Sequence, residues 1–222
     1  MKIRIVVFIL AAAGLFSCKP NRESAPKTTG KEKLNSLKNV QNEHSIYTKY
    51  DYVDSQGGNI IILNSLPKGG TKYTDPDGVE YYYAVFFTRI INKTDSPIKF
   101  KITFSVDSYE LPSLPGRYFK LLLPPDTMSL DNALLPNYGL KNIESFLNDN
   151  LHKSSSLNRT INPEESSAFY VVKLNIKPTA GWQANGKTRA GFSLKKQHLF
   201  YTVNDKEIQC GSINIENLRL RK

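Results

Sequence analysis

The alternation of apolar and polar positions is sharpest between residues 79 and 106, VEYYYAVFFTRIINKTDSPIKFKITFSV. Ile98, Phe100, Ile102, Phe104 and Val106 fall on one side of a period of two, and Lys99, Lys101, Thr103, Ser105 and Asp107 on the other. That pattern predicts a half-buried strand with one wet face. The segment before it, 79–91, is apolar or aromatic at both parities, with Tyr81, Tyr83, Val85 and Phe87 alternating with Tyr82, Ala84, Phe86 and Ile90. A strand so composed is covered on two sides and central in its sheet. Between the two, the residues NKTDSP at 92–97 are turn formers, and Pro97, lacking an N–H, fixes where the second strand can begin.

Shorter runs predict strands at 47–53 and 59–63 about Gly57-Gly58, and at 118–123, 188–194, 199–203 and 207–215, the last two joined by an Asn204-Asp205 turn. At 168–177 the set Tyr170, Val172, Leu174 and Ile176 is expected to face the core, alternating with Phe169, Val171, Lys173, Asn175 and Lys177. Phe100, Ile102, Phe104, Val172 and Leu174 are therefore expected inside, and Lys99, Lys101 and Lys173 outside. From 108 to 160 the rhythm breaks at Pro112, Pro115, Pro124, Pro125 and Pro136. Within it Leu140, Ile143, Leu147 and Leu151 recur at helical spacing, which predicts one amphipathic helix of about three turns with Asn137 as candidate N-cap. This stretch reads as an insertion lying across one end or edge of a sheet. Residues 45–222 are thus expected to be a single mainly β domain, an antiparallel β-sandwich with one helical insertion.

At the N-terminus, Lys2 and Arg4 precede an apolar run over 5–16 that is too short to span a bilayer and suits a signal-peptide core. Leu15-Phe16-Ser17-Cys18 resembles the lipobox of bacterial lipoproteins, although Phe16 stands where that family usually has a small or β-branched residue. The resemblance implies that residues 1–17 are a lipoprotein signal peptide and that Cys18 is the diacylglycerated N-terminus of the mature chain. It further implies attachment to a membrane through that lipid, in the bacterial cell envelope, at an outer membrane facing the periplasm or the cell surface. Residues 18–44, rich in Lys, Asn, Ser and Thr, are expected to be a flexible tether. Two further segments, RIINKTDSPI at 89–98 and INPEES at 161–166, are similar to strand and turn connections of bacterial immunoglobulin-like domains. That class implies an immunoglobulin-like sandwich and carries no single function.

Charge narrows the partners. The chain has a formal charge of +10, and loss of Lys2 and Arg4 leaves it basic. Such a balance favours anionic partners, an envelope protein or an anionic glycan, while export argues against nucleic acid. With Cys18 acylated, Cys210 is the remaining thiol and an intrachain disulfide is excluded.

Candidate chemistry is sparse. The three histidines, His44, His152 and His198, show no metal-ligand spacing such as HExxH. Asp75-Pro-Asp-Gly78 opens like a calcium loop, but Pro76 interrupts it and further ligand positions do not follow, so a tight turn is preferred. His152 with the serines at 154–156 reads as a polar helix terminus, Glu164-Glu165 as a solvated turn, and Cys210 as a small buried hydrophobe. Asp126-Thr127-Met128 resembles a tripeptide O-glycosylated in some bacterial envelope proteins, and Asn92-Lys-Thr94 and Asn158-Arg-Thr160 fit the N-glycosylation rule. No catalytic residue, metal or cofactor is expected.

One loop has the composition of a glycan site. Trp182, Asn185 and Arg189 combine a stacking ring, an amide and a guanidinium within 179–189, the alternative being that Trp182 plugs an end of the sandwich. The leading expectation is a non-catalytic, lipid-anchored envelope protein acting as a binding or assembly module. A glycan-binding module is the alternative, and an enzyme of unrecognised type the second.

Overall fold

The strand that is apolar at both parities needs two covers, and the fold supplies them. The computed structural model describes residues 45–176 and 188–221. β4 (Glu80–Lys93) is the longest strand and pairs along most of its length with β9 (Ser166–Ile176). Around them an eight-stranded sheet is built from β1 (Ile46–Val53), β2 (Asn59–Ser65), β3 (Lys68–Thr74), β6 (Tyr109–Leu111), β7 (Leu114–Leu122) and β13 (Arg219–Leu220). Its order is β13-β1-β2-β4-β9-β7-β6, with β3 on the β2 edge of β4. A five-stranded sheet runs β10 (Ala190–Lys195), β11 (His198–Val203), β12 (Lys206–Ile213), β5 (Ile98–Phe104) and β8 (Ser155–Ile161). All pairings are antiparallel.

Two cores result. The inner one lies between the sheets and gathers Phe86 and Ile90 of β4, Phe169 and Val171 of β9, and Phe100, Ile102 and Phe104 of β5. Its aromatic rings interlock, with Phe100 5.7 Å from Phe169 and Phe192 4.6 Å from Tyr201 between centroids. The outer core covers the other face of β4 and β9, where Tyr81, Tyr83, Val85, Phe87, Tyr170, Val172 and Leu174 meet Met128, Tyr138, Leu140, Ile143, Leu147 and Leu151. The expectation for β9 is corrected accordingly. Tyr170, Val172 and Leu174 do point into a core, but Phe169 and Val171 point into the other one.

The segment 108–160 behaves differently from an insertion across an end or edge. Two 3-10 turns (Leu130–Asn132 and Pro136–Gly139) and an α-helix (Ile143–Asn150) lie over the outer face of the large sheet, while β7 and β8 extend one sheet each. The apolar stripe Leu140, Ile143, Leu147 and Leu151 is buried as its spacing requires. The helix is shorter than expected, because Asn137 and Tyr138 take positive φ inside the second 3-10 turn and Asn142, at φ 53°, occupies the N-cap position. β3 escaped the sequence pattern since its Gly69 and Gly70 adopt φ 117° and 84° around a bulge. Val106 is 40% exposed, not in the core, because β5 ends at Phe104.

Where the two sheets approach at one edge, side chains replace the missing ladder. The Asn64 amide, from the end of β2, accepts the Phe192 N–H of β10 at 2.8 Å and donates to the Phe192 carbonyl at 2.9 Å. It also donates to Thr48 of β1 and accepts from the Thr88 hydroxyl of β4, so one buried amide ties four strands. Two residues further along β10, the Leu194 N–H donates to the Tyr52 hydroxyl at 2.8 Å. Glycine at 191 is what admits this arrangement, since a Cβ there would stand 2.6 Å from Asn64 Cγ. Replacing Asn64 by Ala orphans the Phe192 N–H and C=O in an apolar setting, a loss of at least ~2 kcal/mol. A denaturant melt of Asn64→Ala checks this, and a loss below ~0.5 kcal/mol would show that the seam holds without the amide.

Candidate functional site

The hairpin between β3 and β4 is turned by Asp75. Its carboxylate Oδ1 accepts the N–H groups of Asp77 at 3.0 Å and Val79 at 2.8 Å, while Gly78, at φ 83°, bonds back to the Asp75 carbonyl. This is the tight turn that the sequence favours. The second oxygen, Oδ2, accepts the Tyr81 hydroxyl at 3.3 Å, and Asp75 is only 6% exposed. Burial, and next to it the Asp75 charge, pushes the Tyr81 hydroxyl up to about 12. Tyr73 stacks near Tyr81 and donates to Asn148 at 2.6 Å, which fastens the hairpin to the helix.

That fastening brings His152 beside the turn. Its neighbour Leu151 is held on both sides, bonding its N–H to Leu147 and accepting from Lys120 Nζ. As a result Asp75, Asp77 and His152 present ligand-type atoms all within 4.8 Å of one another. The sequence shows an incomplete loop motif and a lone histidine 75 positions after Asp77, and only the outer layer packed over the sheet unites them. Asp77 and His152 are exposed, so the cluster opens to solvent on one side.

A second perturbed group lies inside the sandwich. Lys173, expected outside, is 2% exposed. It shares the inner face of β9 with Phe169 and Val171, which leaves its ammonium among apolar side chains. Nζ donates to Asn175 Oδ1 and lies 5.1 Å from the centre of the Phe119 ring. Burial pulls its pKa down to about 8.

The other candidates have structural roles. Cys210 lies in the inner core with its thiol donating to the Leu199 carbonyl at 3.5 Å, and burial pushes that thiol up to about 12, far from a nucleophile's range. Ser155 opens β8 and accepts the Leu123 N–H. Glu164 pairs with Lys93, and Glu165 accepts from Asn162 across their turn. Asn92 is wholly buried, donating to the carbonyls of Ser96 and Ile161, so it is a turn anchor rather than an accessible glycan acceptor. Thr127 is exposed and bridges to Phe169, next to a buried Met128.

Of the three proposed ligand residues, Arg189 alone is described. Its guanidinium sits 5.0 Å from the centre of the exposed Tyr47 ring, and its backbone N–H donates to the Asn204 side-chain oxygen. Tyr47 is the extra residue at the β1 bulge, which aims its ring outward. Trp182, Asn185 and Cys18 lie outside the described residues. No helix among the described residues is long and apolar enough to cross a membrane. Comparison of the chain with family models, with curated proteins and with solved structures returns no match in any of the three.

Lys173 generates a pH test. Its folded pKa is below the ordinary 10.5, so between about pH 8 and 10.5 the unfolded chain binds the proton more tightly and stability rises with pH. Below about 8 both states are protonated and the full cost of burying the charge is felt. Lys173→Met is therefore expected to be more stable than the parent by on the order of 2 kcal/mol at pH 7, with the gap closing towards pH 10.5. Paired denaturant melts across that range check it. The difference between the two proteins isolates Lys173, since Tyr52 and Cys210, whose raised pKa values remove stability at higher pH, are common to both. A gap that does not change with pH would mean the ammonium is solvated.

Proposed function

We propose that this chain is a lipid-anchored cell-envelope protein whose domain is an immunoglobulin-like sandwich serving as a non-catalytic binding or assembly module. The anchor rests on the lipobox-like Leu15-Phe16-Ser17-Cys18 and the basic tether that follows it. The observation that carries a binding role is the asymmetry of the sheets. β4 and β9, at the middle of the large sheet, are covered on both faces, whereas the small sheet packs on one face and turns the other outward. That outward face carries Lys99, Lys101, Asn158, Thr160 and Gln209, with Lys195 over the ring of Phe200 and paired with Glu207. An open face bearing Lys99, Lys101 and amides suits an anionic surface, whether on an envelope protein or a glycan.

The glycan reading keeps one observation of its own. The exposed Tyr47 ring and the Arg189 guanidinium meet just before β10 begins, and Arg189 stands seven positions after Trp182 in the sequence. Retention on an immobilised sulfated glycan separates the two surfaces. Lys99→Glu with Lys101→Glu lowers the eluting salt if the sheet face binds, and Arg189→Ala does so if the loop binds. Retention unchanged in both would exclude a polyanion-binding role for either.

Anchoring has an independent test. Intact-mass measurement of the mature chain is expected to show Cys18 as an acylated N-terminus that partitions into detergent, with both features lost in Cys18→Ala. An N-terminus elsewhere, without an acyl increment, would sink the lipoprotein reading.

A further inference from the structure

We propose that Asp75, Asp77 and His152 bind a divalent first-row transition metal ion of the zinc class, at the junction of the β3–β4 turn and the end of the helix. The proposal stands apart from the lipid anchor and the binding faces above. It begins from the donor set: two carboxylates and an imidazole, all within 4.8 Å, delivered by two segments that the outer layer packs together. A nitrogen donor beside two oxygens selects against calcium, which takes six to eight oxygen ligands, and suits zinc and its neighbours. Three protein ligands leave room for water or a partner's group to complete the shell.

Charge is the second observation. Asp75 is more than nine-tenths buried, with Asp77 adjacent, and among the described residues no lysine or arginine pairs with either. Among the described residues, the Asp75 carboxylate accepts two backbone N–H groups and the Tyr81 hydroxyl. Buried charges in proteins are ordinarily paired or bound to a metal, and two neighbouring carboxylates concentrate negative potential where His152 supplies a ring nitrogen. The surroundings already do what supporting groups of a metal site do. Tyr81 and the turn amides orient the Asp75 carboxylate, and the Tyr73 bond to Asn148 together with the Lys120 bond to Leu151 fixes the segment carrying His152.

The test uses the mature full-length protein in detergent, titrated with zinc chloride and followed by calorimetry and thermal melting. One ion per chain and a higher melting temperature are expected. His152→Ala and Asp77→Asn, both at exposed positions, should weaken zinc binding about tenfold or more while leaving the metal-free melt unchanged, and His198→Ala should bind as the parent does. Cobalt supplies a spectroscopic reading, its visible bands appearing in the parent and fading in His152→Ala. Asp75→Asn is secondary, since that residue also shapes the turn. No heat and no melting shift with zinc would overturn the proposal, as would parental affinity in His152→Ala. Calcium binding at zinc's affinity would overturn the choice of a transition metal.

Discussion

A strand that is apolar on both faces cannot sit at the surface of a two-layer protein, and β4 with its partner β9 imposes that constraint on everything else. The five-stranded sheet answers for one face. The 3-10 turns and the helix answer for the other, so the fold is three layers deep at its centre. This explains why a proline-rich stretch follows β5 in sequence: once β6 and β7 have joined the large sheet, it crosses that sheet's outer face and returns as β8 to the small sheet. Met128 marks the crossing, its N–H bonded to the Ala168 carbonyl of β9 at 3.1 Å.

Function is left to what this construction exposes or strains. Covering β4 with the helix places His152 against the β3–β4 turn, which neither segment could achieve alone. Packing β9 between two cores also traps Lys173, the one cation buried among the described residues. Along the opposite margin, Asn64 and Tyr52 supply β10 with the partners that a further strand would have given, and the outward face of the small sheet stays polar and open.

Much of this was legible because hydrophobic periodicity reports burial directly. The wet and dry faces of β5, the two-sided burial of β4 and the helical stripe from Leu140 to Leu151 follow from spacing alone. Periodicity fails where a residue's environment is set from a distance. Lys173 looks solvated in a strand whose other parity is apolar, and only the second core shows that Phe169 and Val171 share its buried face. β3 is hidden by its glycines, and Asn64 by lying just beyond an apolar run, where a polar residue reads as the end of a strand rather than as a clasp. The Asp75 cluster was half visible, as a turn and as a separate histidine. No local signal joins residues 75 and 152, because the contact depends on how the helix lies on the sheet.

The central claim is that the outer layer belongs to the same cooperative unit as the sandwich. Native-state hydrogen exchange in rising denaturant tests it through three amides: Met128, bonded to Ala168, Leu151, bonded to Leu147, and Phe192, bonded to Asn64. The account predicts that all three converge on one opening free energy, the global one. Convergence of Met128 and Leu151 at a distinctly lower value than Phe192 would contradict it, showing a sandwich that stands without its outer cover.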